Sequence, residues 1–251
     1  MNHSTNDPAR HQAGTGPDRH SGVDGGGAGS GEHLVWYAAY GSNLSAARFA
    51  TYLAGGLAPH RHTDSPQQGS RDPSPARDNR PWPLPHRLFF TGSSASWGGG
   101  AVAMLDPQAD AAPDQLTRGR IWLVTAEQFE DVFRQENGRA VKPGGSPSFS
   151  LSDLAVGGQI DVFNSWYGRV LCLGVGPGGH RIMTFAGADP DRLPMGAAHE
   201  SYLRTIGLGL IESWHLTPRA AAEYLAQRDG NHGAISVEAL IEDLANWSER
   251  S

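Results

Sequence analysis

Apolar and polar positions divide this chain into patterned runs separated by polar gaps. LVWYAAY (34–40) is rich in aromatic and β-branched residues and predicts a strand. RLFFT (87–91), GAVAMLD (100–106), GRIWLV (119–124), RVLCLGV (169–175) and HRIMTF (180–185) predict further strands. Three helices carry start signals, and a fourth shows in its spacing. Ser45 caps SAARFATYLAGG, with Leu44 and Phe49 as a hydrophobic staple and Gly55 at the end. Thr125 caps AEQFEDVFRQE, and Gln128 completes a capping box. Thr217 followed by Pro218 opens PRAAAEYLAQRD. AAHESYLRTIGLGL (197–210) places Tyr202, Leu203, Ile206 and Leu210 at helical spacing. Short connections and mixed elements predict an α+β fold, a small β-barrel or curled sheet with peripheral helices and long polar insertions.

The gaps set the domain expectation. Residues 1–32 hold no apolar run and cannot offset their ordering entropy, so a disordered tail is expected there. A single domain over 33–251 follows. It carries a polar surface insertion at about 59–83 and a Gly/Pro-rich stretch at 139–158.

Charge and composition narrow the function. Lys+Arg number 20 against 26 Asp+Glu, a net charge of −6, which disfavours a nucleic-acid partner. One cysteine, Cys172, excludes a disulfide framework and reads as a core residue. No run approaches the roughly 20 apolar residues of a membrane helix, and the first residues lack the apolar core of a secretory signal. A cytoplasmic protein without a membrane partner is the expectation. His60-x-His62 has no visible third ligand, and HExxH, GxSxG and Walker patterns are absent, so neither a metal nor a cofactor is expected.

Two features could carry chemistry. Tyr40-Gly41-Ser42-Asn43-Leu44 joins a predicted strand to a capped helix, where outward backbone N–H groups attract anions. An ordinary strand–turn–helix junction has the same residues. Glu136 shares a helical stripe with Phe129, Val132 and Phe133, whereas Asp131, Arg134 and Gln135 fall off it. A carboxylate on the apolar stripe is costly unless paired, and is a candidate general base if it faces a pocket. Asn137-Gly138 follows, so a helix end pointing to water remains the alternative.

Four motifs in order carry a family resemblance. WYAAYGSNL (36–44), Trp97-Gly98-Gly99-Gly100-Ala101, the run from Gly119-Arg120-Ile121-Trp122 to Arg134-Gln135-Glu136-Asn137-Gly138, and Tyr202 to Ile206 with Gly209 resemble the γ-glutamylcyclotransferase-like superfamily over residues 34–228. The resemblance implies a small barrel with a pocket at the YGSN turn. It implies cleavage of a small-molecule γ-glutamyl amide to 5-oxoproline and an amine, without metal or protein nucleophile. Glu136 would be the acid/base, the Gly41 and Ser42 N–H groups would hold charge on substrate oxygens, and Tyr37, Ala38, Ala39, Tyr40, Gly41, Ser42, Asn43 and Tyr202 would contact the substrate. The chain departs from the family pattern at Ala38 and Met183, and in the lengths of 59–83 and 139–158. Two other readings stand beside this one: a ligand-binding or regulatory module on the same fold, and an amide hydrolase releasing glutamate. The oligomeric state stays open, a homodimer being one option.

Overall fold

The computed structural model describes residues 33–59, 65–112, 115–144, 147–187 and 194–248. Met1–Gly31 and Glu32–Ser251 separate as two units, and every described residue belongs to the second. The expected tail and the His60-x-His62 pair lie outside the described residues.

The fold is α+β, with a six-stranded mixed sheet at its centre. In chain order the strands are β1 (Leu34–Ala39), β2 (Asp78–Leu84), β3 (His86–Thr91), β4 (Val102–Asp110), β5 (Thr117–Thr125), β6 (Gln159–Asp161), β7 (Arg169–Val175) and β8 (Arg181–Ala186). The large sheet runs β2-β5-β1-β8-β7-β6, and β3 with β4 forms a separate antiparallel ribbon. β1 is parallel to β8 and antiparallel to β5. The α+β class of the expectation holds, and among the described residues the strands pair as an open sheet and a separate ribbon.

β1 separates two cores. Its residues alternate between them, as the two-residue period of a strand requires. Val35, Tyr37 and Ala39 join one core with Phe49, Phe129 and Phe133. Trp36 and Ala38 join the other with β3, β4 and the late helices. The helices are α1 (Ala46–Ala54), α2 (Ala126–Glu136), α3 (Glu200–Trp214), α4 (Pro218–Ala226) and α5 (Val237–Ser248). The predicted caps form: Ser45 accepts from Arg48 N, Thr217 from Ala220 N, and Thr125 with Gln128 builds the full capping box. α5 was not among the predicted helices.

Part of the expected insertion is a strand. β2 occupies 78–84 and pairs along its length with β5. Its sequence, DNRPWPL, reads as loop because of its prolines. Pro81 and Pro83 have the same parity, so both missing N–H groups fall on the free edge, where proline is tolerated.

Candidate acid/base pocket

The chain leaves β1 at Ala39 and turns sharply at Gly41 into one 3-10 turn, Ser42–Leu44, before α1 begins. β5 fastens that turn. Trp122 Nε1 donates to Asn43 O at 2.9 Å, and Arg120 donates to Leu44 O at 2.8 Å. α3 presses on it from behind. A Cβ on Gly209 would lie 2.4 Å from the Leu44 carbonyl carbon, so only glycine lets the helix come this close. Gly41 meets a similar limit, since its Cβ would stand 2.9 Å from Tyr202 Oη.

α2 delivers Glu136 as its last residue. The side chain is half-buried and lines a pocket, so the stripe reading holds and the helix-end alternative does not. The pocket has a volume of about 30 Å³ and is lined by Tyr37, Tyr40, Gly41, Ser42, Asn43, Ala103, Glu136, Tyr167, Phe185 and Tyr202. Asn43 Nδ2 donates to Glu136 Oε1 at 2.8 Å and to Tyr37 Oη at 3.1 Å. A carboxylate only accepts, so the amide nitrogen must face Glu136. Asn43 Oδ1 is then buried with no partner.

Four tyrosines surround the carboxylate. Tyr40 donates to Phe185 O at 2.7 Å and Tyr167 to Ala103 O at 2.8 Å. Tyr202 accepts from Ala103 N at 3.2 Å. Burial pushes all four hydroxyls well above the ordinary tyrosine value, and the Glu136 carboxylate adds to the effect at each. They are therefore neutral hydrogen-bonding groups at physiological pH, and Glu136 is the carboxyl group set among them.

The Trp97–Ala101 motif acts through Tyr202. Trp97 packs on the Tyr202 ring with centroids 4.7 Å apart. A Cβ on Gly100 would lie 2.3 Å from His199 N, so this glycine admits the start of α3, which carries Tyr202.

Seven of the nine residues proposed from the sequence line the pocket. Ala38 and Ala39 do not: each is in one of the two cores, and Ala38 offers only its carbonyl, to Thr184 Oγ1. Ala103, Tyr167 and Phe185 line the pocket without having been singled out. Tyr167 sits in a polar stretch with no periodic signal, and Ala103 and Phe185 look like ordinary core residues in their strands. Asp131, expected off the apolar stripe, is fully buried. Arg71 holds it at 2.9 Å and also reaches Glu127 at 3.2 Å. A wider groove on that side of α2, lined by Arg71, Glu127, Glu130 and Phe149, therefore has its charges already paired.

Among the described residues, no group of three or more His, Cys, Asp or Glu side chains is placed to hold a metal ion. No helix of the described residues is long and apolar enough to cross a membrane.

No protein-family profile matches the chain, and no solved structure matches it. A curated protein of Arabidopsis thaliana, named histone deacetylase 5, is 35% identical over 206 residues, covering 76% of this chain and 30% of its own length. The chain thus spans under a third of that relative. A deacetylase is a hydrolase, and that name overturns the γ-glutamyl cyclotransferase expectation, with its 5-oxoproline product and its acyltransferase or lyase class.

Proposed function

We propose that this chain is an amide hydrolase that removes a small acyl group from an amine, with Glu136 as general acid/base. The observation that carries the reading is the Glu136 carboxylate, tethered at Oε1 by Asn43 and set in a pocket of neutral tyrosine hydroxyls. The deacetylase name of the relative favours hydrolysis as the reaction, although the activity of that longer protein belongs to its whole length.

In this reading Glu136 takes a proton from water as the water oxygen bonds to the acyl carbon. The carbonyl oxygen gains the charge, and the Tyr202 hydroxyl, which donates to no described acceptor, is placed to meet it. The C–N bond then breaks, and Glu136 passes its proton to the departing amine. The products are a carboxylic acid and a free amine. Asn43 Oδ1, unpartnered, suits an N–H of the amide or of the product amine.

We also propose that the scaffold is γ-glutamylcyclotransferase-like, its large sheet and β3–β4 ribbon standing as the walls of an opened barrel around the pocket. The resemblance then concerns the scaffold and not the reaction. The implied partner is a small molecule, of which the pocket of about 30 Å³ holds only the reacting group. The test is release of the acyl acid from a panel of N-acyl amines, compared between the native chain and Glu136→Gln. Equal release from both would remove Glu136 from the chemistry.

A further inference from the structure

An outer chamber of about 420 Å³ shares Glu136 and Tyr167 with the inner pocket. Arg48 lines this chamber, together with Tyr52, Gln67, Ser94, Ser96 and Trp166. Arg48 comes from the first turns of α1, on the helical stripe that carries Phe49, Tyr52 and Leu53 into the core. It is only 3% exposed.

A buried guanidinium normally has a counter-charge, because desolvating it otherwise costs several kcal/mol. Arg48 forms no ion pair with a described residue. Its partners are neutral: Thr51 Oγ1 at 3.2 Å, Tyr52 Oη at 2.7 Å, and the face of the Tyr52 ring, 4.3 Å from centroid to guanidinium carbon. These engage two of its five N–H donors, and Nε is buried with no partner at all. Its positive charge is felt at the Tyr202 hydroxyl, so the cation lies electrostatically close to the inner pocket. Glu136 and Arg48 thus both line the outer chamber, a carboxylate and a guanidinium that do not pair with each other.

We propose that Arg48 is the anion-binding residue of this site, and that the ligand is an N-acyl amino acid whose free carboxylate docks on Arg48 while its amide lies at Glu136. The guanidinium lies over the Tyr52 ring and keeps N–H donors that no described acceptor takes, Nε–H among them, which is what a carboxylate would satisfy. Arg48 is a specificity residue here and takes no part in bond breaking. The proposal rests on the inner pocket being the substrate site. It goes beyond that reading by requiring a carboxylate in the ligand, which excludes an acylated lysine inside a protein chain.

The experiment compares N-acetylglycine, N-acetyl-β-alanine and N-acetyl-4-aminobutyrate with their C-terminal carboxamides. Binding is measured by calorimetry in Glu136→Gln, which retains an acceptor for Asn43 and prevents turnover. The carboxylate of at least one pair should bind roughly tenfold or more tighter than its carboxamide, the gain expected of one charge-assisted contact. Arg48→Met should abolish that preference, and Arg48→Lys should keep part of it, with the circular dichroism spectrum unchanged in both. Equal binding within every pair, no binding by any probe, or a preference that survives in a folded Arg48→Met chain would each overturn the proposal. Acid release is measured separately in the native chain. A carboxylate preference without acid release would remove the hydrolase reading and leave the role of Arg48 standing; acid release without a preference would do the reverse.

Discussion

Asn43 donates through Nδ2 to Glu136 Oε1 at 2.8 Å, joining the turn after β1 to the last residue of α2 across 93 positions of sequence. That bond fixes where the carboxylate points. It also fixes the orientation of the amide, which leaves Oδ1 buried and open to a donor. Asn43→Ala removes both effects and should lower kcat/KM by about a hundredfold, the scale of losing a positioned charge-assisted contact in a site. Steady-state kinetics on the best N-acyl substrate check this. A loss confined to KM would mean that Asn43 only binds.

The packing of α3 against the turn gives a second prediction. Gly209→Val places side-chain atoms where the Leu44 and Ser45 backbone now lies. Overpacking of this kind costs roughly 1–3 kcal/mol, and the displaced turn should lower activity as well. A denaturant titration together with a rate assay reads both. Stability lost without any change in rate would detach α3 from the site.

A third concerns the buried pair on the far side of α2. Arg71 holds Asp131, whose side chain is 1% exposed, while its own is 18% exposed. Arg71→Ala leaves an uncompensated buried carboxylate and should destabilise the fold by about 3 kcal/mol. The catalytic rate should change little at a temperature where the variant is folded. Thermal unfolding and kinetics at low temperature separate the two.

The pocket tyrosines predict alkaline sensitivity. Tyr37, Tyr40, Tyr167 and Tyr202 have hydroxyls raised above the ordinary value of 10.0 by burial. A folded-state value above the unfolded one means that the unfolded chain loses these protons first. Their contribution is therefore fully present below about pH 10 and is lost progressively as pH rises past it. Denaturant midpoints at a series of alkaline pH values should fall steeply above that point. Tyrosinate absorbance from these residues should appear only with unfolding, and its appearance in the folded protein would contradict the assigned burial.

Much of this site was legible in the sequence because the signals were local. The YGSN turn follows a strongly β-patterned run, and both flanking helices have cap residues at fixed offsets. Glu136 was found because helical spacing aligns it with Phe129, Val132 and Phe133. Arg48 obeys the same spacing, one residue before Phe49 and four before Tyr52, and the stripe could have revealed it. Tyr167 could not be found this way, since only the chain reversal between β6 and β7 brings it to the pocket. Asp131 was misread because a buried carboxylate depends on an arginine 60 residues away, which no local period records. The strand order was not legible because it is set by long-range pairing: β1 lies between β5 and β8, which are far from it in sequence.

In the proposed amide hydrolysis Glu136 moves the proton. Product analysis by mass spectrometry tests it most directly, with purified native chain and Glu136→Gln incubated side by side with a panel of N-acyl amines and N-acyl amino acids. The expected result is acyl acid and free amine in equal amounts from the native chain, with at least a thousandfold less from the folded variant. An intact panel, or acid released equally by both chains, would contradict the assignment.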